Sequence, residues 1–304
     1  MPKIATDDGV HLYYEEAGQG TSILFVHEFA GDYRSWEPQM RFFARRYRCI
    51  AYSARGYWPS DVPADVSKYS QERVRKDIVC MLDGLGIEKA HVVGLSMGAF
   101  ATLHFGMHHA SVGVKTRALS LTVAGCGSGA FPTEHDAFKA QSKILGADID
   151  AKGMSFAAAT YGHGPARVQF QAKDPRGFAQ FVQQFSEHDA VGSANTMRGY
   201  QGERPSLYSL TDSIAKIQVP TLVMTGDEDE PCLETSVMLK RAITQSHLAV
   251  LPGSGHAINI EEPALFNQLL SEFLAQVEEG RLMKRLDSAK PASIWGPVGD
   301  PSLL

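Results

Sequence analysis

Cysteine is scarce in this 304-residue chain: Cys49, Cys80, Cys126 and Cys232 lie scattered, with no C-x-x-C pair. Three fall in or beside apolar segments, which argues for free core thiols and against a disulfide framework. Long apolar runs are missing too. None approaches the ~18 residues of a membrane span. The start, Met1-Pro2-Lys3-Ile4-Ala5-Thr6-Asp7-Asp8, has no apolar signal-peptide region, so cytoplasmic residence is expected. Neither sign of charge dominates: 29 Lys and Arg stand against 34 Asp and Glu. The net charge of −5 and a pI near 6.1 give no electrostatic reason to expect nucleic acid or an anionic membrane. Internal repeats are absent. What remains is 44% hydrophobic and 21% charged. That is ordinary for a globular protein, and the length allows one α/β domain with an insertion.

Along the chain, Ile4 to Thr6, a turn at Asp7-Asp8-Gly9 and Val10 to Glu15 read as an antiparallel hairpin. From residue 22, strands alternate with helices, which predicts a mostly parallel central sheet with helices on both faces. Ser70 is placed to cap a helix whose Val74, Ile78, Met81, Leu82 and Leu85 form one apolar face. Pro263 opens a last helix with a stripe from Leu265 to Val277. After the strand Ala118–Ala124 the next begins only at Val219, and the stretch 127–212 between them, about 85 residues, is far more than a βα connection needs. Residues 127–212, with amphipathic pieces such as Phe178-Phe181-Val182-Phe185, therefore read as a helical cap. It divides a core of 1–126 and 213–280. The tail 281–304, rich in Pro, Gly, Ser and Ala, is either a flexible end or a packed arm, and a candidate exchange arm for a homodimer.

Chemistry enters at Gly94-Leu95-Ser96-Met97-Gly98, which follows the β-branched run His91-Val92-Val93 and precedes the helix-forming Ala99 to Phe105. G-x-S-x-G between strand and helix is a nucleophile elbow, a turn so tight that its outer positions need glycine. A nucleophilic serine needs a base, and the base an orienting acid. Two later strands supply both. One opens into Gly226-Asp227-Glu228-Asp229-Glu230-Pro231, the other into Pro252-Gly253-Ser254-Gly255-His256. His256 is the candidate base, and Asp229 or Asp227 the acid. Four adjacent acids cannot converge on one cation without an unusual loop, so this stretch reads as a solvated acidic loop. His108-His109 reads as a helix end, since adjacent helical residues face different ways. Neither metal nor organic cofactor is called for.

Taken together, these motifs resemble the α/β-hydrolase superfamily, in its capped serine esterase and perhydrolase-like branch, over residues 4 to about 280. The resemblance implies that Asp229, third after the strand-end glycine, is the acid. It also implies that the turn His27-Glu28-Phe29-Ala30-Gly31 after Ile23–Val26 supplies half an oxyanion hole. The hole would be the backbone N–H groups of Phe29 and Met97, with His27 bracing the turn. Tyr52 to Ser60 matches the family's Arg-Gly loop. Two residues depart from the pattern: Glu28 where glycine is usual, and Ser53 where aspartate is frequent. Glu28 is expected either to turn outward or pair with Arg55 as structural support, or else to reach the Ser96 region and tune it.

The cap offers aromatics and methionines, among them Phe131, Phe138, Met154, Phe156, Tyr161, Phe170, Met197 and Tyr200. Most should pack, with some lining an apolar pocket, for which Tyr161, Met197 and Tyr200 are the candidates. Arg198 and Arg204 are candidate carboxylate anchors, against the commoner reading of surface arginines. The expected activity is hydrolysis of a small or medium, partly apolar carboxylic ester through an acyl-enzyme. C–C bond, lactone or amide hydrolysis and perhydrolysis use the same triad. A non-catalytic ligand-binding member of the fold is the competing class. Serine at position 96 disfavours the dehalogenase and epoxide-hydrolase chemistry that needs an aspartate there.

Overall fold

Eight short strands organise the chain. They are β1 (Lys3–Ala5), β2 (His11–Ala17), β3 (Ser22–Val26), β4 (Arg48–Tyr52), β5 (Ala90–Leu95), β6 (Ala118–Ala124), β7 (Thr221–Gly226) and β8 (Ser246–Leu251). The structure, a computed structural model, describes residues 1–282. All eight strands form one sheet in the order β1-β2-β4-β3-β5-β6-β7-β8. The hairpin β1–β2 and the β2–β4 pair are antiparallel, and every other neighbouring pair is parallel.

The central strands are buried on both faces, as parallel strands under helices must be. Alternation along β3 divides the core. Leu24 and Val26 join Ile78, Leu82 and Phe100 on one side, whereas Ile23 and Phe25 join Trp36, Phe43 and Phe266 on the other. The helices α1 (Glu37–Phe43), α2 (Gln71–Gly84) and α3 (Met97–His109) cover the first half of the sheet. Ser70 caps α2 as expected, its hydroxyl accepting from the Arg73 amide at 3.1 Å. All four cysteines are free.

After β6 the chain leaves the sheet for a helical insertion. It comprises α4 (His135–Lys152), α5 (Met154–Thr160), α6 (Val168–Lys173), α7 (Pro175–Ser186), α8 (Ala190–Asn195) and α9 (Thr211–Ile214). A π-helical turn, Thr196–Gln201, follows α8. α10 (Glu230–Ala242) separates β7 from β8, and α11 (Ile258–Glu261) leads into α12 (Pro263–Glu278). Phe266, Leu270, Phe273 and Leu274 of α12 are buried. Among the described residues no helix is long and apolar enough to cross a membrane. Of the tail 281–304, residues 283–304 lie outside the described residues.

Candidate active site

Ser96 occupies the single position between β5 and α3. Its φ of +52° is the one positive value at a non-glycine among the described residues, a conformation that costs on the order of 1–3 kcal/mol and that surrounding structure must hold in place. Two contacts hold it. The Ser96 amide donates to the Ala124 carbonyl at the end of β6 (2.8 Å), and the Phe100 amide to the Ser96 carbonyl (3.0 Å). The flanking glycines leave no room for a side chain. A Cβ on Gly98 would stand 2.1 Å from the Val26 carbonyl oxygen, and one on Gly94 would stand 2.3 Å from that of Gly98. The start of α3 is thus pressed against the end of β3.

The two candidate acids separate cleanly. Asp227 is exposed and accepts from the Ser254 amide at 3.0 Å. Asp229 is buried, and its Oδ2 lies 2.7 Å from His256 Nδ1. A carboxylate only accepts, so Nδ1 carries the proton and Nε2 is left free to accept one. Burial alone would depress the His256 pKa, but the Asp229 carboxylate outweighs it and holds it above the ordinary value. Burial in turn would raise Asp229, yet His256 beside it keeps it lowered. The imidazole lies by Gly125, where a Cβ would be 3.4 Å from His256 Nδ1 and 3.4 Å from Leu95 Cδ1. That puts the ring beside the end of β5. Its loop is anchored twice: the His256 amide donates to Ala166 of the insertion at 2.8 Å, and the Gly255 amide to the Glu261 carboxylate at 3.0 Å. Asp229, Cys232 and His256 bring ligand-type atoms within 4.8 Å of one another. Burial holds the Cys232 thiol well above its ordinary pKa.

On the turn after β3, the Ala54 amide donates to His27 Nε2 at 2.9 Å, which fixes the neutral tautomer. The Nδ1–H then donates to the Glu28 carbonyl at 2.6 Å. Burial pushes the His27 pKa down to about 4. Glu28 departs from one expectation: it neither turns outward nor pairs with Arg55. Its buried carboxylate takes Arg167, from the insertion, as ion-pair partner. Arg55 is engaged elsewhere, bidentate to Asp77 at 2.7 Å through both Nε and Nη2. Sequence could not show the Arg167 partnership, because 139 residues separate the two and no periodicity marks Arg167.

Two adjoining cavities meet these groups. An outer one of about 510 Å³ touches Asp229, His256, Arg167 and Phe156. An inner one of about 140 Å³ touches Ser96, Phe138, Met197 and Arg204. Ser128, Gln141, Leu145 and Tyr161 line both. Of the candidate pocket residues, Tyr161 and Met197 thus line cavity walls. Tyr200 lines neither cavity; its hydroxyl donates to the Met97 carbonyl at 2.7 Å and braces the elbow from behind. Phe170 packs against Phe178 and Phe181. Arg198 pairs with Asp150 in a partly exposed contact. Arg204, by contrast, is 3% exposed. Ser128, Gln141 and Gln201 carry no sequence signal that distinguishes them from other polar residues.

Similarity to known proteins agrees with this fold. A family model described as the alpha/beta hydrolase fold matches residues 21–263. The chain is 26% identical over 257 residues to 3-oxoadipate enol-lactonase 1 of Acinetobacter baylyi, covering 84% of this chain and 90% of that protein. Among solved structures, a thermophilic esterase from Thermogutta terrifontis superposes with a TM-score of 0.78 at 25% identity, covering 91% of this chain and 98% of the other. An enol-lactonase from Burkholderia xenovorans shares the fold with a TM-score of 0.77 at 21% identity, over 90% of this chain and 100% of the other. A sheet with this strand order, a serine on a strained strand-to-helix turn and a family match across most of the sequence lead to one assignment: the chain belongs to the α/β-hydrolase family.

Proposed function

We propose that this protein is a serine hydrolase that cleaves a small carboxylic ester by an acyl-enzyme mechanism, with Ser96 as nucleophile, His256 as base and Asp229 as orienting acid. The observation that carries the reading is the buried Asp229–His256 hydrogen bond of 2.7 Å, together with a serine held at φ +52° on the turn after β5. Ser96 Oγ attacks the carbonyl carbon as His256 Nε2 takes its proton. The tetrahedral oxyanion is received by the backbone N–H groups of Met97 and Phe29. Met97 begins α3, where the first N–H groups have no acceptor inside the helix. Collapse passes the proton from His256 to the leaving alkoxide. Water, deprotonated by the same imidazole, then hydrolyses the acyl-serine and restores the hydroxyl. The insertion over residues 127–212 serves as the cap that encloses the reaction.

The esterase likeness supports an ester substrate, and the enol-lactonase likeness gives a lactone as the second reading with the same chemistry. The test uses a chromogenic short-chain ester with the unmodified protein and Ser96→Ala. A burst of product equal to the enzyme concentration, absent in the variant, is expected. Binding without turnover, the same in both proteins, would establish a ligand-binding protein instead.

A further inference from the structure

Arg204 carries its charge into the interior without an acidic partner. Nη1 bonds the Gln201 side-chain oxygen and Nη2 the Ser128 carbonyl, both neutral acceptors. No carboxylate pairs with it among the described residues. The guanidinium carbon sits 3.6 Å from the Phe100 ring centroid and 4.5 Å from that of Phe138. Cation–π contacts of this kind recover part of the desolvation cost of a buried cation, but they do not neutralise it. Arginine has five N–H donors; Gln201 and Ser128 take two, so three remain. Arg204 is also the one charged residue lining the inner chamber onto which Ser96 opens.

We propose that Arg204 recognises a carboxylate at the far end of the acyl group, so that the preferred substrates are monoesters of short dicarboxylic acids. This rests on the serine-hydrolase reading. The inner chamber, at about 140 Å³, is well below the ~300 Å³ at which drug-sized pockets begin, and so it admits a short acyl chain. With the acyl group there, the leaving alcohol points to the outer cavity, where His256 must protonate it. A guanidinium fork matches a carboxylate edge in a way a neutral acyl terminus cannot. Desolvation already weakens the hold of Arg204 on its proton, as expected for a cation waiting for a counter-ion.

The test compares ethyl hydrogen succinate with ethyl 4-methylpentanoate, in which a neutral isopropyl group replaces the carboxylate at nearly the same shape. The unmodified protein should favour the hemiester by tenfold or more in kcat/KM, and Arg204→Met should collapse that ratio mainly through KM. Gln201→Glu provides a variant without truncation. It places an internal carboxylate on Arg204, so folding should hold or improve while the preference disappears. No preference in the unmodified protein, or a ratio unmoved by Gln201→Glu, would overturn the proposal. Ser96-dependent turnover of the neutral ester alone leaves the serine-hydrolase reading intact and sinks only the Arg204 assignment. If neither ester is turned over, calorimetry of ethyl hydrogen succinate decides the anion site on its own. Binding should be measurable with Ser96→Ala and at least tenfold weaker when Gln201→Glu is added, and equal binding to both would overturn it.

Discussion

Glu28 and Arg167 form an ion pair almost closed to water, with side chains 2% and 4% exposed. One stands on the turn after β3, the other on the insertion just before α6. The pair therefore ties the turn that carries Phe29 to the segment that covers it. Both charges act on His256: Glu28 raises its proton affinity, and Arg167 lowers it.

Replacing Glu28 by Gln leaves the Arg167 guanidinium buried and unpaired, its Nε already without a partner. Removing one member of a buried pair costs about 3–5 kcal/mol, which urea unfolding would register. The acid limb of kcat/KM should move to lower pH in Glu28→Gln and to higher pH in Arg167→Gln. If neither limb moves, the pair is structural only.

In the proposed mechanism His256 must be neutral to act as base, so activity should be lost as pH falls through its pKa. That pKa is raised, so the acid limb of the unmodified protein should have its midpoint above the ordinary imidazole value of about 6.5. Asp229→Asn removes the group responsible. The midpoint should fall, and kcat should drop by about three to four orders of magnitude. Asp227→Asn, on an exposed side chain, should leave both close to the parent values. Steady-state profiles of the three proteins decide between the acids.

Burial holds His27 neutral in the folded protein, with a pKa of about 4 against about 6.5 when unfolded. The unfolded chain therefore binds more protons between those values. The His27 contribution is fully present above pH 6.5 and is lost as pH falls towards 4, by roughly 3 kcal/mol in all. Unfolding midpoints measured from pH 7 to 4 should decline across that window. The decline should be shallower in His27→Asn, which starts less stable because the Ala54 amide loses its acceptor.

Gly98→Ala should damage the elbow more than its single methyl suggests. The new Cβ would meet the Val26 carbonyl, a backbone atom that cannot rotate away, at 2.1 Å. Destabilisation of about 1–3 kcal/mol is expected, together with loss of acyl-enzyme burst, since Ser96 and Met97 must shift with it. Thermal denaturation and burst amplitude on the same preparation would show both.

Much of this was readable from local pattern. The elbow, the two loops carrying Asp229 and His256, the capped α2 and the proline-opened α12 each follow from short-range rules of turn, cap and period. The ambiguity between Asp227 and Asp229 was not local. Both stand on one loop with one charge, and only burial and the direction of each side chain distinguish them.

Ser96, His256 and the glycines around the elbow were determined by the sequence itself, because backbone sterics and side-chain chemistry act within a few residues and leave a legible spacing. Tertiary structure alone decided the partner of Glu28, the bracing role of Tyr200 and the buried, unneutralised charge of Arg204. Those depend on which distant segments share one desolvated volume. An arginine reads the same in a sequence whether water or two phenylalanine rings surround it, yet the cost of its charge differs by the whole of its hydration.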